Sequence, residues 1–215
     1  PLKIGIKSKS SNKIKCLEFD NKDVIKQELK ALQANKHIEP NIIVPPVQHM
    51  SNCWFNTMFM SFFVSDKGRK FFHYFRQLMI EGRQHDGTII PKKLRNAYAL
   101  LNYAIDATLY GHEFALRLDT NAVIKTIYDS IPKKFKKIAP YIVDINTASN
   151  PIRYYIGMAD YLDHNPLQFL IPEAYDNQWP KQLSTFVKNM KNMPDIMVLE
   201  IFDGNEPGDV GNAGK

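Results

Sequence analysis

Cysteine is scarce in this chain: Cys16 and Cys53 are the only two among 215 residues. Two thiols cannot build a four-thiolate zinc site or a disulfide framework. Long apolar runs are missing as well. A membrane helix needs roughly 18 unbroken apolar residues. The nearest stretch, 50–64, is interrupted by Ser51, Asn52, Asn56, Thr57 and Ser61. Residues 1–15 are rich in Lys and Ser without an apolar core, so no secretory leader is visible. None of the six histidines stands in a His-x-x-x-His or His-Glu-x-x-His pattern, which leaves no ligand spacing for a metal. No cofactor is implied either, and no segment repeats another.

What is present is ordinary for a globular chain: 44% hydrophobic, 12% aromatic and 23% charged residues. That excludes a disordered tail or a collagen-like fibre, and the length suits one well-packed domain, or one domain with a small appendage. The net charge of +6 is modest. The clusters Lys133-Lys134-Phe135-Lys136-Lys137 and Lys3, Lys7, Lys9, Lys13 and Lys15 read as solvated faces. No nucleic-acid motif accompanies them, so nucleic-acid binding ranks third among the functional readings. The chain opens on Pro1 rather than Met and is expected to be a piece of a longer soluble intracellular protein of the cytoplasm or nucleus.

Residues 1–19 alternate weakly and predict an arm or edge hairpin. From Asp20 the pattern turns helical up to Lys36, with Asp20 or Asn21 as cap. Three prolines in 39–48 force an extended loop that delivers the chain onto an apolar helix beginning near Cys53. Asp66 is expected to cap a run in which Phe71, Phe72, Phe75, Leu78 and Met79 share a face, stopped by Gly82. Pro91 opens a helix through Leu94, Tyr98, Leu101 and Ile105. Asp119 or Thr120 caps another, through Val123, Ile124, Ile127 and Tyr128. Pro180 starts the last, with Leu183, Phe186, Val187 and Met190 inward. Segments 141–143 and 152–156 read as short strands, 195–202 as the clearest strand, and 203–215 as a flexible Gly-rich tail. Helices first and strands later predict an α+β fold rather than alternating βαβ units.

The chemistry-bearing stretch runs Val44-Pro-Pro-Val-Gln-His-Met-Ser-Asn-Cys-Trp-Phe-Asn-Thr from 44 to 57. A thiol nucleophile works best at a helix start, where unpaired backbone N–H groups favour a thiolate. The same amides, with a side-chain amide a few residues upstream, can hold the oxyanion of a tetrahedral intermediate. Cys53 stands where the Pro-rich loop meets the helix, and Gln48 lies five residues before it. Cys16, in the weakly patterned arm, reads as structural.

The stretch Ser51-Asn52-Cys53-Trp54-Phe55-Asn56-Thr57 resembles the cysteine box of the ubiquitin-specific proteases, papain-like deubiquitinases whose box runs roughly Gly-Asn-Thr-Cys-Tyr/Phe-Met-Asn-Ser. It keeps the cysteine, the aromatic after it and the Asn three beyond. The family's oxyanion amide falls on Gln48, and Gln with Cys-Trp is also a papain feature. Met193-Pro194-Asp195-Ile196-Met197-Val198-Leu199-Glu200-Ile201-Phe202 resembles the family strand that precedes its histidine box. The resemblance implies a papain-like domain over 20–202, incomplete at its C-terminal end, with Cys53 as nucleophile and Gln48 in the oxyanion hole. It further implies (iso)peptide hydrolysis after the C-terminus of ubiquitin or a ubiquitin-like protein. The family's general-base histidine motif is not found before Lys215. Lys, Asn and Ile, which AT-rich codons favour, number 22, 17 and 22; together with the divergence this fits a large-DNA-virus member. The alternative is a catalytically inactive, protease-derived structural or binding module, such as a virion component associated with other virion proteins.

Each histidine has a plain reading. His49 lies on the entry loop, His73 borders the core, His85 and His112 sit beside turn glycines, and His37 and His164 fall at helix ends or loops.

Overall fold

The computed structural model describes residues 2–7, 13–33, 37–132, 151–163, 169–170, 173–174 and 179–201. Two compact units, Pro1–His164 and Asn165–Lys215, make up a mixed α+β chain in which helix predominates.

The first unit opens with an antiparallel hairpin of β1 (Lys3–Lys7) and β2 (Ile14–Glu18), with Lys3 opposite Glu18 and Lys7 opposite Ile14. Period-two alternation half-buries Ile4 and Ile6 while Lys3, Gly5 and Lys7 face solvent. Helix α1 (Lys22–Gln33) follows, its start held by Asn21 Oδ1, which accepts the Asp23 N–H at 2.9 Å. Hairpin and helix bury a shared apolar layer: Leu2, Ile4, Ile6, Leu17, Ile25 and Leu29 pack around Phe19, Val24, Ile80 and Ala99. Cys16, expected to be structural, is exposed opposite Gly5.

The proline loop contains a short 3-10 turn, Pro40–Ile42, and is pinned to the next layer where the Val44 N–H donates to Thr108 O at 3.2 Å. It ends at α2 (Cys53–Phe59), which runs directly into a π turn, Met60–Val64. Along the exposed side the hydroxyls of Thr57, Ser61 and Ser65 each donate to the carbonyl four residues back, at 2.9, 3.0 and 2.6 Å. Such back-bonding competes with backbone amides for the same carbonyls and favours a locally widened turn. The widening lets three consecutive residues, Phe62, Phe63 and Val64, all be buried.

The single helix expected after Asp66 is two, α3 (Asp66–Phe71) and α4 (His73–Glu81), broken at Phe72. The ring of Phe72 stacks on Phe62 at 4.5 Å, and this contact turns Phe71 outward, 40% exposed, away from the face it was predicted to share. Ser65, rather than Asp66, is the cap: its hydroxyl accepts the Gly68 N–H at 3.1 Å. Gly82, at φ 68°, ends α4 in the left-handed conformation expected of a stopping glycine. Helix α5 (Lys92–Leu109) begins just after Pro91. A 3-10 turn, Glu113–Arg117, leads to α6 (Thr120–Ser130), capped by Asp119, whose carboxylate accepts the N–H groups of Asn121 and Ala122.

Residues 152–156 are not a strand: α7 (Pro151–Leu162) spans them. Its buried Tyr154, Tyr155, Met158, Ala159 and Leu162 recur at helical spacing. Tyr155 sits in an aromatic core, stacked on Phe55 at 5.4 Å and edge-on to Phe62 at 5.3 Å. Phe55, Phe59 and Phe63 are no more than 1% exposed, and each contributes about 1.5–3 kcal/mol by its burial. Tyr154 donates to Ile124 O at 3.2 Å, so α7 is tied to α6 as well.

The second unit has a different plan. Strand β3 (Phe169–Leu170) pairs in parallel with β5 (Ile196–Met197), and β4 (Glu173–Ala174) with β6 (Glu200–Ile201). Helix α8 (Trp179–Asn189) connects them. This is one βαβ crossover in a chain of the expected mixed α+β class rather than a run of alternating βαβ units. The strand predicted over 195–202 is reduced to the two short pieces β5 and β6. In α8, Leu183 and Val187 are half-buried, but Phe186 is 43% exposed rather than inward. Segments 141–143 and 203–215 lie outside the described residues.

Candidate functional site around Cys53

Cys53 is the first residue of α2, and its side chain is exposed. The two residues after it face inward: Trp54 is 6% and Phe55 1% exposed. Trp54 packs edge-on against Tyr154 at 5.6 Å. The buried aromatic pair anchors the helix, and the sulfur faces out from the same first turn.

The residue before the thiol is the most enclosed polar group in the region. Asn52 is fully buried, and its side chain makes no capping bond to its own helix. Its Nδ2 donates to Thr120 Oγ1 at 2.7 Å and to Asn121 Oδ1 at 2.8 Å. Its Oδ1 accepts the His49 N–H at 3.1 Å. Asn121 Nδ2 returns a bond to His49 O at 3.3 Å. Between them Met50 takes the left-handed conformation, φ 56°, which is uncommon for a residue with a side chain. The segment joining Gln48 to Cys53 is thus a tight, internally bonded turn lashed to the start of α6.

Gln48 is exposed, and its Nε2 donates to Met50 O at 3.0 Å. An amide nitrogen carries two hydrogens, so one remains for another acceptor. Asn56, three residues beyond the thiol, donates to Val47 O at 3.5 Å and fastens the other side of the loop, while its buried Oδ1 has no partner among the described residues.

None of the histidines among the described residues hydrogen-bonds Cys53. His49 contributes only its backbone to the turn. His37 bonds Asp66 at 3.0 Å, and this bond together with Arg69 holds the Asp66 carboxyl below its usual range. His85 bonds the Tyr74 hydroxyl, and His73 lines a cleft with Arg69 and Arg76. His164 lies outside the described residues. No cluster of three or more potential metal ligands occurs among the described residues. The described lysines of the arm, Lys3, Lys7, Lys13 and Lys15, are exposed on the hairpin, and Lys133 to Lys137 lie outside the described residues.

No protein-family model, curated protein or solved structure matches this chain.

A second polar cluster escaped the sequence reading. Arg76, 4% exposed, donates from Nε to Asn102 Oδ1 and from Nη2 to Asp106 Oδ1, both at 2.9 Å. Glu28 stands nearby: burial above all, reinforced by the Asp106 charge and opposed by Arg76, pushes its carboxyl up to about 7. Asn52 lies in the cysteine-box stretch but is not one of the positions that carry its resemblance, and Thr120, Asn121 and Arg76 belong to no sequence motif. Their only trace is polar residues inside otherwise apolar helical patterns.

Proposed function

We propose that this chain carries the nucleophile of a papain-like thiol peptidase similar to the ubiquitin-specific proteases. The reading rests on one observation above all: an exposed Cys53 at the first turn of a helix whose next two residues are buried, reached through a loop fixed by a fully buried Asn52. In this reading the Cys53 thiolate attacks the carbonyl carbon of the (iso)peptide bond that follows the C-terminus of ubiquitin or a ubiquitin-like protein. The tetrahedral oxyanion is held by the Cys53 N–H and the free Gln48 N–H. Collapse expels the amine, which takes a proton from the general acid, and water then hydrolyses the thioester. None of the described histidines bonds Cys53, so in this reading the acid–base histidine is one outside the described residues.

A specific observation favours a second reading, the inert protease-derived module with a structural role, for instance in a virion. Among the described residues Cys53 has no histidine partner, and a thiol without a positioned base is a poor catalyst.

Ubiquitin carrying a C-terminal electrophile tests the choice on the full-length protein. Covalent labelling that disappears in Cys53→Ala supports the peptidase. Equal labelling of Cys53→Ala sinks it, and ubiquitin binding without labelling selects the inert module.

A further inference from the structure

Asn52 occupies a helix cap position and is a residue type well suited to capping, yet its side chain caps nothing. Its hydrogen bonds are made elsewhere: both amide hydrogens go to Thr120 and Asn121, and the carbonyl oxygen takes the His49 N–H. Asn121 closes the ring by donating to His49 O. Asn52, Thr120 and Asn121 are 0%, 1% and 8% exposed, so these bonds are sheltered from water and costly to break. The residues flanking the clamped segment 49–52 are Gln48 on one side and Cys53 on the other. Holding 49–52 therefore sets the spacing of the two groups that the chemistry would need together. A buried side-chain network of this kind fixes geometry within narrow limits, as a working site requires.

We propose that Thr120 and Asn121, acting through Asn52, are positioning residues for Cys53 and Gln48. The inference rests on the thiol-peptidase reading above. Neither residue touches substrate; their effect passes through the backbone of 49–52.

The test uses the full-length protein with Cys16→Ser. In one arm it is labelled with ubiquitin bearing a C-terminal electrophile, and maximal rate and half-saturating concentration are measured separately. Thr120→Ala and Asn121→Ala should lower the maximal rate about tenfold to a hundredfold, with the half-saturating concentration unchanged. Thr120→Ser, which keeps the hydroxyl, should restore the rate. Should Asn121→Ala fail to fold, Asn121→Asp keeps the Oδ1 acceptor, loses the bond to His49 and carries the same comparison. A maximal rate equal to the parent in folded variants overturns the proposal.

In the second arm Cys53 is alkylated with iodoacetamide across a pH series, which needs no ubiquitin recognition. The clamp predicts that rate and pH profile shift in Thr120→Ala and Asn121→Ala and return in Thr120→Ser. Superimposable profiles overturn it. If the parent is not labelled by the ubiquitin probe while the alkylation profile moves with the clamp, the peptidase reading falls and the positioning role stands.

Discussion

The hydroxyl of Tyr155 donates to the backbone carbonyl of Phe55, 100 residues earlier, at 3.1 Å, while the two rings stack at 5.4 Å. One side chain thus packs against the helix that starts at Cys53 and also hydrogen-bonds its backbone. Desolvation pushes the phenol well above its ordinary range, so it stays a neutral donor. Tyr155→Phe should cost about 1 kcal/mol through the lost bond. Tyr155→Ala should cost about 4 kcal/mol, because it also opens a cavity among Phe55, Phe62 and Phe63. Urea unfolding measures both; equal costs would mean that the ring contributes nothing beyond its hydroxyl.

Cys53→Ala should leave stability within about 0.5 kcal/mol of the parent, since the thiol is exposed. A thermal melt checks this directly. A coincident melt allows any loss of labelling to be read as chemistry rather than unfolding.

Arg76 behaves oppositely. Its guanidinium is buried and bonded to Asn102 and Asp106, so Arg76→Ala should cost about 3 kcal/mol by leaving their acceptors without the donor. Arg76→Lys keeps the charge but not the two-pronged geometry, and it should recover only part of that loss. Denaturant midpoints of the two variants decide the matter.

Two glycines are expected to differ for different reasons. A Cβ at Gly68 would clash with Ser61 O and lie 2.7 Å from Phe62 O, both backbone atoms of the π turn. Gly68→Ala should therefore cost about 2–3 kcal/mol. At Gly82 the obstacle within 3 Å is the flexible Arg95 side chain, so Gly82→Ala should cost only the left-handed strain, about 1–2 kcal/mol. Reversal of that order in unfolding experiments would show that the π turn yields easily.

The Glu28 carboxyl sits at about 7 in the folded protein against 4.5 in a free side chain. The folded state therefore keeps a proton that the unfolded chain releases over this interval, and unfolding becomes easier as pH rises. The contribution is complete below about pH 4.5 and gone above about pH 7. For this half-buried group it amounts to about 2 kcal/mol after solvent screening. Asp160, pushed to about 6 by burial, adds a slope of the same sign. Urea midpoints measured across this range should fall with pH, and Glu28→Gln should flatten most of the decline.

Local chemistry was the legible part of this chain. Gly82 and Asp119 announce helix boundaries because a left-handed residue and a short carboxylate act within one turn of themselves. Cys53 was legible for the same reason: a Pro-rich loop ending in an apolar run marks a helix start. The break at Phe72 was not, since its cause is a ring ten residues earlier in sequence, Phe62. The β-branched and aromatic residues of 152–156 have strand propensity, but the inward packing of Tyr154, Tyr155, Met158, Ala159 and Leu162 at helical spacing prevailed, as tertiary context commonly does over propensity. The clamp around Asn52 was beyond sequence reading, because its halves lie 68 and 69 residues apart and each is an unremarkable polar residue.

The π turn Met60–Val64 bears on the thiol nine residues upstream of its middle. A π turn holds one residue more than the α-helix around it would need, and each helical residue rotates the chain by about 100°. That surplus works as an angular spacer between Ser65, where the next helix is capped, and the segment that begins at Cys53. Deleting one residue from the turn would swing the upstream helix by about 100° about its own axis. Cys53 could then keep its outward aspect only if Trp54 and Phe55 left the core. The direction in which the sulfur faces is therefore set as much by this one extra residue as by the loop that carries it.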